Sequence, residues 1–167
     1  MKRFFYMAAV ACLALFASCQ KQSVEHTGDD TGKLYGSWTL DTKNVVSESI
    51  VNGKTTSENE DTDFTNADFL LLLEEPRVAK AQEGAVTFEG HFAYNAQLKQ
   101  ITFNTKLQLA TGFPPRIMTL DGTFDVMELT DGKLVLRQIK EAWVSDLIGS
   151  KTTTIYAFHR SAEQQQQ

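Results

Sequence analysis

The sequence predicts an all-β fold, an antiparallel up-and-down β-barrel of about eight strands in one domain. Three observations carry this. Apolar and polar residues alternate with period two along much of the chain between Lys33 and Ser161, as half-buried strands require. The dipeptides Asn52-Gly53 and Asp131-Gly132 punctuate that alternation with tight-turn chemistry. The strands are joined by short turns rather than by helical crossovers, which indicates a meander and not βαβ units.

Taken in order, the first strand opens at Gly36-Ser37-Trp38 and continues through Leu40. The segment Phe64 to Pro76 (FTNADFLLLLEEP) breaks the alternation. Thr65 fits an N-cap, Asp68 its box partner, Phe64 and Phe69 a hydrophobic staple, and Pro76 a stop, so a short helix from Asn66 to Glu75 is favoured. The alternative is one fully buried strand, Phe69 to Leu73. Val86, Phe88, Gly90, Phe92 and Tyr94 form an apolar face opposite Thr87, Glu89, His91 and Asn95. Ile101, Phe103, Thr105, Leu107 and Leu109 form the next. Thr123 to Leu129 and Lys133 to Ile139 flank Asp131-Gly132, and Thr152 to Arg160 is the last strand. These are six strands. The two that complete a barrel are expected from Ile50 to Ser57 and from between Phe64 and Lys80.

The ends of the chain bear on location. Lys2 and Arg3 precede an apolar stretch, Phe4 to Phe16, too short to span a bilayer comfortably, and Ala17-Ser18 lead to Cys19. Residues 15–19, Leu-Phe-Ala-Ser-Cys, resemble the lipobox of bacterial lipoproteins. That resemblance implies a signal peptide over 1–18 and a lipidated Cys19, with several acyl chains making a lasting membrane anchor. Gln20 after the cysteine is similar to the outer-membrane default, on the periplasmic or the surface side. Residues 19–32 read as a flexible tether, 33–161 as the barrel domain, and the glutamine-rich 162–167 as a disordered tail.

Removing residues 1–18 from 167 leaves 149, enough for one ordinary domain. Cys12 leaves with the signal, so no disulfide remains and the fold must rest on its core. The formal net charge of −5 falls to −7 without Lys2 and Arg3, which argues against nucleic acid as a partner.

Gly36-x-Trp38 at the first strand and Phe158-His159-Arg160 at the last resemble the lipocalin (calycin) superfamily. More narrowly, the domain is similar to the lipocalin-like lipoproteins common in Bacteroidetes. The resemblance implies that Trp38 closes one end of the barrel with Arg160 packed over it. It also implies a carrier or sensor of a small apolar ligand.

Residues that bear chemistry are sparse. His26 falls in the tether, and His91 and His159 on polar strand faces. No His, Cys, Asp or Glu cluster has metal-ligand spacing, and no cofactor is indicated. The sequence has no nucleophile elbow, and no catalytic residue is assigned. The acidic run Glu58, Glu60, Asp61 and Asp63 reads as a solvated loop. Phe88, Phe92, Tyr94, Phe103 and Phe124 face inward, and either line a ligand cavity or fill the barrel. Trp143, Val144, Leu147 and Ile148 are apolar for a loop. They form a strand extension, a lid or a partner contact. The sequence therefore supports a non-enzymatic envelope lipoprotein that binds a small apolar ligand. The alternative is a protein-interaction or structural module with a solid core.

Overall fold

A computed structural model describes residues 30–65 and 67–162. The expected signal peptide, Cys19, nearly all of the expected tether, His26, Asn66 and the glutamine run lie outside the described residues.

The described chain is antiparallel β throughout, apart from one helical turn. That turn, α1, is Thr31–Leu34, followed by β1 Gly36–Val51, β2 Lys54–Asp63, β3 Phe69–Glu74, β4 Val78–Glu83 and β5 Val86–Asn95. The remaining strands are β6 Gln100–Thr111, β7 Arg116–Leu129, β8 Lys133–Ser145 and β9 Ile148–Arg160. Each of β3 to β8 pairs with its successor, and β9 returns to β1, so the sheet closes into a ring. Thr31 and Gly32, read as the end of the tether, belong to the helical turn, whose Leu34 is buried in the core.

β1 organises the molecule. Its first residues, Gly36 to Thr39, pair with β3, and Thr42 to Val51 pair with β2. Trp38 to Val51 pair with β9 along the opposite edge. Strands β2 and β3 therefore share one edge of β1 and run in the same direction, interrupted at residues 64–68. The ring consists of β1 and β3 to β9. Beyond it, the far halves of β2, β1, β9 and β8 continue as a four-stranded fin. Burial marks the boundary: Leu40, Leu136 and Tyr156 are buried, and past them β1, β8 and β9 carry no buried residue.

The core is the inward face of the ring. Trp38, Leu40, Phe69, Leu71, Phe92, Ile101, Phe103, Leu107, Met118, Phe124, Leu134 and Phe158 are all in it. Small residues let the barrel wall bend inward. Gly90 on β5 sits beneath Thr105, where a Cβ on the glycine would lie 2.5 Å from the threonine Cβ. Thr105 occupies a bulge of β6, between the pairings Phe103↔Gly122 and Leu107↔Leu120.

Four expectations are corrected. Phe69–Glu74 is a strand, not a helix: Phe69, Leu71 and Leu73 point inward while Leu70 and Leu72 are half-buried. The open edges of β1 and β4 supply ladder partners that outweigh local helix capping. Both missing ring strands come from residues 69–83, whereas Ile50 to Ser57 form the β1–β2 hairpin turning at Asn52 (φ 50) and Gly53 (φ 74). The acidic run lies in β2 and not in a loop, because β1 pairs with it residue for residue from Val51↔Lys54 to Thr42↔Asp63. Asp131-Gly132 does link β7 to β8, but without positive φ. The Thr130 hydroxyl accepts from the backbone N–H groups of Gly132 (3.3 Å) and Lys133 (3.0 Å), shaping the turn instead.

Candidate functional site

One end of the barrel is sealed around Trp38. Gly36, at φ 134, turns the chain from α1 into β1 in a conformation that a side chain would strain. Trp38 is fully buried and donates its indole N–H to the Leu34 carbonyl at 2.9 Å. The Arg160 guanidinium lies 4.3 Å from the centre of the Trp38 ring. It donates Nε to the Asp131 carbonyl (2.6 Å), Nη1 to that of Tyr35 (3.0 Å) and Nη2 to that of Lys33. One planar cation on β9 thus stacks on the tryptophan and ties the α1–β1 junction to the β7–β8 turn. This is a structural closure, with no group free to react.

The five aromatic residues expected to face inward separate into two sets. Phe92, Phe103 and Phe124 are buried, and Tyr94 is partly buried against them. Their neighbours continue the packing: Phe103–Phe124 at 5.8 Å, Phe124–Tyr156 at 6.2 Å and Tyr156–Phe158 at 6.2 Å between ring centres. This row of buried rings crosses from β6 through β7 to β9 within the core. Phe88 differs. It shares a face with buried Ala81, yet it is 46% exposed. The cause is the seam between β5 and β6, whose ladder runs only from Phe92↔Phe103 to Asn95↔Gln100. Beyond that the strands part and leave a groove of about 490 Å³, lined by Val86, Phe88, Leu109 and Ala110, with Glu83 and Lys106 at its rim.

A second seam, two strands further round the ring, opens in a different way. The β7–β8 ladder ends at Asp125↔Arg137, so the edge of β7 from Ile117 to Thr123 lacks a strand partner on that side. Side chains from the base of the fin replace the missing ladder. Lys43 donates to the Ile117 carbonyl at 3.1 Å. Tyr156 bonds both backbone groups of Thr119, each at 3.0 Å. The Gln138 amide donates to the carbonyls of Asp121 (2.7 Å) and Thr123 (3.2 Å). Every second residue is capped, which matches the period at which strand backbone faces one edge.

Trp143, Val144, Leu147 and Ile148 lie on the extension of β8 and β9 and the turn between them. They are 53%, 84%, 57% and 43% exposed, and Val51 beside them is 52% exposed. Opposed residues share a face. Val51 and Ile148 are therefore on one face of the fin, and Trp143, Gly149 and Ile50 on the other. The Trp143 ring lies across Gly149, where a Cβ would fall 2.3 Å from the ring. The two turns are joined: the Asn52 backbone N–H donates to the Leu147 carbonyl at 2.9 Å. The sequence showed the apolar residues but not their setting, because β2 (KTTSENEDTD) carries no apolar period of its own.

Polar groups gather on the outside of the barrel in a groove of about 420 Å³ lined by Thr39, Asp68, Leu70, Gln82, His159 and Ser161. Sequence reading did not single it out. His159 Nδ1 lies 2.6 Å from Asp41 Oδ1, and the Thr39 and Ser161 hydroxyls are 2.5 Å apart. The serine hydroxyl is thus paired with threonine and the imidazole with a carboxylate, an arrangement that orders polar side chains without activating a nucleophile. His91 is exposed on β5. Among the described residues, no three His, Cys, Asp or Glu side chains come together as a metal site. Also among them, no helix is long and apolar enough to cross a membrane. Comparison with protein-family models, with curated proteins and with solved structures found no match.

Proposed function

We propose that this chain is a membrane-held envelope lipoprotein, anchored through Cys19, and that its barrel is a rigid, non-enzymatic module working from its outer surface. The observation that supports this reading is the row of contacting, buried rings from Phe103 through Phe124 and Tyr156 to Phe158, packed together in the barrel core. Five exposed apolar residues, Val51, Trp143, Val144, Leu147 and Ile148, gather at the end of the fin. Native mass spectrometry of the chain from residue 19, with Cys19→Ser and without detergent, tests it. The expected result is the bare protein mass, unchanged after incubation with mixed lipids. A retained, solvent-extractable mass would overturn the surface reading.

A second reading is favoured by the groove beside Phe88. Its volume of about 490 Å³ and its Val86, Phe88 and Leu109 lining suit a small apolar ligand held at the seam rather than inside the barrel. Phe88→Asp separates the two readings. It abolishes a retained mass bound at the seam and leaves surface contacts elsewhere unchanged.

A further inference from the structure

We infer that the end of the fin is a bilayer-contact site, in which Val51, Trp143, Val144, Leu147 and Ile148 enter the interfacial region of a lipid membrane. This deepens the reading above by naming what the surface touches, and it rests on the Cys19 anchor only for the proximity of a bilayer.

Three observations favour lipid over protein. First, the apolar side chains surround the end of the sheet. Val51 and Ile148 project from one face, Trp143 from the other, Val144 from the irregularity at the end of β8 and Leu147 from the turn. A flat protein surface covers one face of a thin sheet, whereas a fluid apolar medium covers all sides of a tip. Second, several backbone polar groups at the tip are engaged within it. The Asn52 N–H bonds Leu147 O, the Leu147 N–H bonds the Ser145 hydroxyl at 3.3 Å, and Val51↔Lys54 closes the first hairpin. A segment entering lipid needs this, since lipid offers no replacement partners. Third, the chain outside the structure places a membrane within reach. Ten residues separate Cys19 from Asp30, a tether of at most about 40 Å. β1 then covers roughly 50 Å from the tether side to the tip at about 3.3 Å per residue. An anchored domain that tilts by its own length brings the tip onto the same bilayer. Tethering raises the effective concentration of that surface, so a weak tip affinity suffices. A tryptophan at such a tip matches the preference of its amphipathic ring for the membrane interface.

The test uses the chain from residue 19 with Cys19→Ser, which keeps every described residue and removes acylation. It is mixed with phosphatidylcholine vesicles, chosen without net charge because the chain is acidic. Trp38 is fully buried, so a change in tryptophan emission reports Trp143. The expected result is flotation with the vesicles and a blue shift of emission. Leu147→Asp with Val144→Asp weakens partitioning by about tenfold or more, with circular dichroism and melting unchanged. Absence of flotation by the folded protein overturns the inference, as does flotation that the double variant retains. Self-association through the tip without vesicle binding also overturns it and makes a second copy the occupant. Acylation of Cys19 is read separately, from the mass of the native protein. An unlipidated Cys19 with a vesicle-binding tip removes the anchor and leaves the tip site standing.

Discussion

The phenolic oxygen of Tyr156 lies 3.0 Å from both the backbone nitrogen and the backbone oxygen of Thr119, accepting from one and donating to the other. A side chain of the last strand thereby does for β7 what a neighbouring strand does elsewhere in the ring. It is reinforced by Gln138 and Lys43 on the same edge. Tyr156→Phe keeps the ring packing and removes both bonds. It is expected to lower stability by about 1–3 kcal/mol, the cost of leaving backbone groups unpaired. The midpoint and slope of a urea transition measure this.

The same hydroxyl sets an alkaline limit. Burial raises the Tyr156 pKa above its ordinary 10.0, offset in part by the Thr119 bond. The folded state therefore holds this proton more tightly than the unfolded state. Its contribution is complete below pH 10 and is lost as pH rises through the raised value. Melting temperature followed from pH 8 to 12 should fall less steeply in Tyr156→Phe than in the native protein.

At the acid end the relevant group is Asp125. Hydrogen bonds from Arg137 and then from Gln100 hold its carboxyl below the usual 3.8. The stabilisation is present above that value and disappears as pH falls through the depressed one. Both side chains of the ion pair are 35% exposed, so solvent screening limits it to about 0.5–1 kcal/mol. Asp125→Asn should remove that much at pH 7 and little at pH 2, as read from paired denaturant titrations.

Arg160→Ala removes the stack on Trp38 and three carbonyl contacts. A loss of about 2 kcal/mol is expected, with Arg160→Lys intermediate because an ammonium lacks the planar fork. Trp38 emission should shift to the red in the alanine variant as its ring is uncovered.

Gly90→Ala drives a Cβ to 2.5 Å from the Thr105 Cβ. The expected cost is about 1–3 kcal/mol, typical of overpacking. Thr105→Gly should relieve it, whereas Thr105→Ser, which keeps the Cβ, should not. Thermal melts of the two double variants decide the matter.

The sequence disclosed which way side chains point more readily than where each strand meets its neighbours. Alternation at Ile101, Phe103, Leu107 and Leu109 identified the core face of β6, because period two is a local property. Phe88 obeys the same alternation and still lies open, since its exposure depends on where the β5–β6 ladder ends. Contact between Trp38 and Arg160 was expected only through the resemblance that Gly36-x-Trp38 and Phe158-His159-Arg160 carry. The side-chain capping of β7 was not, for Lys43, Gln138 and Tyr156 are distant in sequence from the carbonyls they bind. The Phe69–Leu73 run was ambiguous because it is apolar at every position. Only the waiting edges of β1 and β4 decide that it is extended. Only the first residues of β2, Lys54 to Ser57, fell within the strand expected over Ile50 to Ser57; the rest carried no strand signal, since β2 has no apolar residue and is held by pairing with β1 alone.

β9 carries a temporal consequence. It is the last strand to be synthesised, and its partners are β8, its immediate predecessor, and β1, over a hundred residues earlier. Until it forms, β1 and β8 are both unpaired edges and the nascent sheet is an open ribbon. Closing so long a loop is slow, and exposed edges invite pairing between chains in the interval. Chains released short of residue 148 are therefore expected to accumulate as aggregation-prone open sheets, and the final thirteen-residue strand acts as the clasp that commits the polypeptide to a barrel.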